Sequence, residues 1–191
     1  TGNKQSARTA FLSAGNMSYD GTIQEESKFN FAKLSYELNF QSKALDAFKN
    51  YLTAFPQGKH ADECNEMLVS MYASTKNYRD AMTAIENIKN KTDNIKAAYQ
   101  RVAYYRGIEL FMDNKLPESI SLFNASRKNP YEPRLVAAAL YWTAEAQFRQ
   151  KDYGAAQRSY NDFLFTPAAL KLDYYNLTNY NLGYCYFKME D

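Results

Sequence analysis

The sequence predicts an all-α chain, a solenoid of about ten helices in antiparallel pairs with no strands, and three observations predict it. The first is a series of small residues, each followed four places later by a large apolar residue or its equivalent. Ala7, Ala44, Ala81, Ser119 and Ala156 lead it, at intervals of 37, 37, 38 and 37 residues. The second is a parallel series of Ala32, Val69, Gly107 and Ala144, each twelve residues before a leading small residue, and continued by Gly183. Where two helices cross, a side chain no larger than a methyl lets the backbones approach, and the large residue one turn later fills the groove beside the crossing. The third is punctuation. Capping residues and prolines recur between the periodic stretches, as helix starts and stops require. A pair of this kind cannot bury its apolar face alone, so neighbouring pairs must stack.

The elements follow in chain order. Ala7, Phe11 and Ala14 mark a first helix. Thr22-Ile23-Gln24-Glu25 has the form of a capping box and introduces a helix lined by Phe29, Ala32, Leu34, Tyr36 and Leu38. A turn at Asn39 to Gln41 leads to the helix of Ala44 and Phe48, which ends before Pro56. Asn77 and Asp152 are placed to cap the helices of Ala81 and Ala156. Pro117 suits a first turn, where its missing N–H costs nothing. Pro130, Pro133 and Pro167 fall between units. The period divides the chain as a single array at 1–24, 25–61, 62–99, 100–136, 137–175 and 176–191, the first and last units partial, as expected of a piece of a longer chain.

Composition narrows the functions open to such a chain. Hydrophobic residues make up 46% of it, too many for a disordered tail. The formal charge is +2, with acidic and basic residues interspersed, whereas a nucleic-acid binder gathers its basic residues on one face. The longest apolar run, Val136 to Trp142, is far below the roughly 20 residues of a membrane span. Two cysteines, Cys64 and Cys185, make no disulfide framework. Catalytic inventory is thin. The one histidine, His60, reads as a surface residue near a helix start, and a Cys–His pair with Cys64 is the single nucleophile arrangement conceivable. No cluster has zinc-ligand spacing, and the seven glycines form no phosphate loop. Asp62, Glu63 and Glu66 are accounted for by the dipole at a helix N-terminus. The expectation is a binding protein with no catalytic residues, metal or cofactor.

The segments Asn77-Tyr78-Arg79-Asp80-Ala81, Lys151-Asp152-Tyr153-Gly154-Ala155-Ala156 and Asn181-Leu182-Gly183-Tyr184-Cys185-Tyr186 resemble the tetratricopeptide repeat family, over essentially the whole chain. Its units are usually shorter than these, and Arg106, Thr143 and Ser119 depart from its pattern. The stretch Phe55-Pro56-Gln57-Gly58-Lys59-His60-Ala61-Asp62-Glu63 is similar to the unit junction of bacterial cell-envelope members, the Tol-Pal coordinating protein and outer-membrane assembly lipoproteins among them. The resemblance implies a right-handed superhelix whose first helices line a concave groove for a protein or peptide. It also implies a periplasmic or outer-membrane-associated setting, with a cytoplasmic sensor domain of a larger regulatory protein as the alternative. Carried over position by position, the groove would present Phe29, Lys33 and Tyr36, then Tyr104 and Ile108, then Tyr141, Glu145, Phe148 and Arg149, and finally Tyr180 and Tyr184, with Arg101 at the edge. The lysines and asparagines with which the family grips a C-terminal carboxylate are missing from their positions, so no such ligand is expected. Tyrosines at this spacing can equally fill the seam between helices.

Overall fold

The computed structural model describes residues 2–190, and among them it contains ten α-helices, one 3₁₀ helix and no strand. In order the helices are α1 (Gly2–Gly15), α2 (Gly21–Glu37), α3 (Gln41–Ala54), α4 (Ala61–Ser74), α5 (Tyr78–Asn87), α6 (Asp93–Met112), α7 (Leu116–Arg127), α8 (Pro133–Arg149), α9 (Tyr153–Leu164) and α10 (Tyr175–Met189). The 3₁₀ helix, Pro167–Lys171, lies between α9 and α10. The chain falls into two compact units, one ending at Lys91 and one beginning at Thr92. The first holds α1 to α5 and the second α6 to α10.

The helix starts show what fixes them. Asn77 and Asp152 cap α5 and α9 through their side chains, and Pro117 stands in the first turn of α7. Two other starts differ from the sequence expectation. Asp20, not Thr22, caps α2, accepting the backbone N–H groups of Thr22 and Ile23 at 2.8 and 3.1 Å. Thr92 caps α6, which begins seven residues before the expected boundary at 100. The expected boundaries at 24/25, 99/100 and 136/137 thus lie inside α2, α6 and α8. Periodicity gives the spacing of units but not their phase, which the caps at Asp20 and Thr92 and the proline at 133 set. The outermost limits, 1 and 191, lie outside the described residues.

The small residues sit where the spacing puts them. Ala32, Ala44, Ala81, Ala144, Ala156 and Ser119 are fully buried. A methyl added to Gly107 would come within 2.7 Å of the Phe123 ring, so only glycine lets α6 and α7 approach there. Gly183 is exposed, and a methyl there would meet nothing within 4 Å.

A further repeat was hidden in the turns between paired helices. Asn39, Lys76, Asn114 and Lys151 all adopt left-handed backbone, with φ of 59° to 64°. Each closes the same cap. The residue after it donates its N–H five positions back, as Phe40 does to Ser35 and Asp152 to Gln147. None of the four is glycine, so the turn foreseen at Asn39 gave no sign of a cap shared by all four.

Candidate functional site

The site is best built from the junctions that lead from one pair to the next. The first, residues 55–60, folds over Glu25 of α2. Its carboxylate accepts the Tyr51 hydroxyl at 2.6 Å and the Lys59 N–H at 2.7 Å, and the Tyr51 oxygen in turn accepts the His60 N–H at 3.0 Å. The second, residues 88–92, is held by Asp62 of α4, which accepts the N–H groups of Lys89 and Asn90. The third, residues 128–132, is held by Gln100 of α6. That buried amide pairs with both backbone groups of Glu132, at 2.7 and 3.1 Å, while Ser126 donates to the Gln100 carbonyl.

Glu25, Asp62 and Gln100 are spaced by 37 and 38 residues, so one position in the repeat carries all three clamps. Asp62 therefore does more than face a helix dipole. The fourth occurrence is Ala137, which is fully buried and can clamp nothing. The fourth junction, residues 165–174, is also the longest, and Ala169 and Leu172 pack it against Ala137 and Ala138. Among the described residues, the N–H groups of Phe165, Thr166, Ala169 and Leu172 bond within the segment or to the end of α9.

Junction aromatics cover two of the expected groove rings. Phe29 is 5% exposed because the His60 ring lies flat on it, 3.9 Å away with planes 3° apart. Tyr141 is also 5% exposed, with Tyr174 stacked on it at 4.1 Å and Trp142 and Phe163 around it. Both are core rings, covered by their own junctions rather than open to a groove. His60 is not a surface residue either, since its side chain is 15% exposed. Its buried Nε2 lies 3.1 Å from Glu26 Oε1 without an aligned hydrogen bond.

The remaining expected residues scatter. Lys33 pairs with Glu63 at 2.9 Å, and Tyr36, three residues further along α2, is half-buried. Arg101 pairs with Glu132 at 2.7 Å. Ile108 packs against the cluster of Phe111 and Phe123. Glu145 accepts the Tyr160 hydroxyl at 2.6 Å and the Asn181 amide at 2.7 Å, tying α8, α9 and α10 together. The Arg149 guanidinium lies 4.0 Å from the centre of the Phe111 ring. Phe148 contacts Tyr153 and Tyr184, and Tyr180 and Tyr184 are exposed on α10.

Tyr104 is the groove ring that its own junction leaves half open, and it lines a cleft of about 410 Å³ in the second unit. The walls are Tyr104 and Tyr105 of α6, Leu135 and Ala138 of α8, and Leu172 and Tyr174 of the fourth junction. Glu132, Arg134 and Asp173 give it charge. Arg134 is exposed and forms no ion pair among the described residues, and its charge bears on the hydroxyls of Tyr104 and Tyr174. Burial holds both hydroxyls above the ordinary tyrosine range, so they stay protonated. Arg134, Asp173 and Tyr174 escaped the sequence reading because they sit at helix starts and in a junction, off the periodic face. Tyr105 adjoins a predicted position and could have been found from it.

Both thiols are buried. Burial pushes Cys64 up to about 12 and Cys185 up to about 11. No group of three or more His, Cys, Asp or Glu side chains able to hold a metal occurs among the described residues.

No protein-family profile matches this chain, and no curated protein matches it. Among solved structures it resembles the crystal structure of the apo form of RapI, at 13% identity and a TM-score of 0.51, over 90% of this chain and 50% of that one. The chain thus spans about half the length of RapI. Likeness at this identity concerns the fold alone, and the fold it supports is a helical repeat.

Proposed function

We propose that the chain is a protein-interaction scaffold whose second unit binds an extended peptide segment of a partner in the cleft of Tyr104, Tyr105 and Tyr174. The observation that carries this reading is the cleft itself. Its volume lies in the range of ligand sites, and its walls combine aromatic and aliphatic surface with an uncommitted guanidinium. Tyrosines offer large apolar area and a polar tip at small entropic cost, which suits them to adaptable contacts. Arg134 gives orientation, since a carboxylate on the peptide can pair with it bidentately. Binding rather than catalysis is supported by the two protonated, buried thiols and by the use of His60 as a ring stacked in a junction. For an envelope setting the support is the Phe55–Glu63 stretch. The alternative, a sensor domain in a larger regulatory protein, draws on the fold shared with RapI.

Selection from a displayed random-peptide library tests the site. Peptides enriched on the wild type should lose binding to the Arg134→Glu and Tyr105→Ala variants, by roughly 1 kcal/mol or more each. Variants at Thr83 and Asn87, on the first unit, should leave binding unchanged. Enrichment of no peptide, or peptides indifferent to both cleft variants, would remove the cleft as the binding site.

A further inference from the structure

The fourth junction differs from the other three in a way the repeat makes legible. In each of the first three, a polar side chain from the preceding first helix reaches the backbone of the junction: Glu25 to Lys59, Asp62 to Lys89 and Asn90, Gln100 to Glu132. Ala137 stands at the same position before the fourth, so that reach is absent. The fourth junction also holds ten residues, 165–174, where the others hold five or six. Its attachment to α8 is apolar, through Ala169 and Leu172 near the middle and Tyr174 at its end. Phe165 and Leu170 project into solvent, 86% and 68% exposed.

We infer that residues 165–172 form a strap that detaches from α8 while Tyr174 stays stacked on Tyr141, and that this motion widens the cleft to admit a partner. Apolar contacts resist sliding and lifting less specifically than a set of aligned hydrogen bonds, and segments with few of either open at the lowest free energies. Leu172 is cleft wall as well as strap, so detachment moves that wall against the fixed wall of Tyr104 and Tyr105. The opening is a property of the free protein; that it admits a partner rests on the cleft being the binding site.

Residue-resolved amide hydrogen exchange on the whole chain, without any ligand, tests the strap. The amides of Ala169 and Leu172, though each is bonded to a carbonyl three residues back, should exchange about tenfold or more faster than those of Lys59, His60 and Glu132. Equal or slower exchange at Ala169 and Leu172 would overturn the strap. The Gln100→Ala variant supplies the second arm. Loss of that clamp should raise exchange at Glu132 toward the strap's rate while leaving Lys59 unchanged; no rise would show that the clamps do not set junction mobility. Fast strap exchange together with a failed peptide selection would keep the strap and discard the cleft reading. A successful selection with a protected strap would do the reverse.

Discussion

The first and fourth junctions solve one problem by opposite means. Both must lay a connecting segment over the first helix of a pair and cover its aromatic ring, Phe29 in one and Tyr141 in the other. Residues 55–60 do so with a polar network centred on Glu25, packed so closely that a methyl on Gly58 would strike the Glu25 carboxylate and the Tyr51 hydroxyl. Residues 165–174 do so with rings and methyls. A network of short, charge-assisted hydrogen bonds fixes one geometry. Apolar packing tolerates several. The difference places a polar network in the first junction and apolar packing beside the cleft, where the proposed peptide site would draw on the latitude that such packing leaves.

The largest effect expected is at the ring-held junction. Tyr141→Ala should cost about 3–5 kcal/mol, as the removal of a core aromatic does, because the ring touches Trp142, Tyr160, Phe163 and Tyr174 at once. Denaturant melts measure it. A loss below about 1 kcal/mol would mean that the ring faces a groove after all, and that the fourth junction is held by something other than ring packing.

Next comes the clamp. Glu25→Ala leaves the Tyr51 hydroxyl and the Lys59 N–H without their acceptor, and should cost about 2–3 kcal/mol through unsatisfied donors. Burial, and after it the Glu25 carboxylate, holds the Tyr51 hydroxyl above the ordinary tyrosine range, which makes it a dependable donor to that carboxylate at neutral pH. If the same melts place Glu25→Ala within 0.5 kcal/mol of wild type, the contrast between clamped and unclamped junctions fails at its strongest case.

These two residues also mark what the sequence made legible. Apart from the exposed Gly183, the second-helix and first-helix small residues from Ala32 to Ala156 read correctly because helix crossings leave a signature of size at fixed spacing, and Ala44, Ala81 and Ala156 are buried as that signature requires. Tyr141 and Tyr104 occupy the same place in the repeat, and periodicity could not separate them. Their burial depends on whether a residue some 30 positions onward, Tyr174 for one of them, folds back as a lid. Glu25, Asp62 and Gln100 were legible in principle, at 37 and 38 residues apart, but three different polar side chains hide a shared role unless the junction geometry is known. Arg134 and Asp173 lie off every periodic face.

A smaller effect is expected in the turns, which both units share. Lys151 holds left-handed backbone at φ 64°, a conformation that disfavours side chains with a β-carbon by roughly 1–2 kcal/mol. Lys151→Gly relieves this but loosens the unfolded chain, so a net gain of about 0.5–1 kcal/mol is expected. A loss of stability in thermal melts would show that the lysine side chain contributes to the turn in a way its backbone does not reveal.

The smallest effect separates position in the repeat from burial. Tyr180 lies 39 residues after Tyr141 and at the same repeat position, yet it is 69% exposed where Tyr141 is 5% exposed. Their place in the repeat does not distinguish them: both are tyrosines three residues before a member of the small-residue series, Ala144 or Gly183. If repeat position determined energetic weight, the two alanine variants would be alike. Burial determines it instead, because the contribution of a side chain scales with the apolar area it removes from water. Tyr180→Ala should therefore stay within about 0.5 kcal/mol of wild type in the same denaturant melts in which Tyr141→Ala loses several. A cost of 2 kcal/mol or more at Tyr180 would mean that its ring is covered in solution, and the search for what covers it would begin with the exposed Leu177, Tyr184 and Phe187 on the same helix.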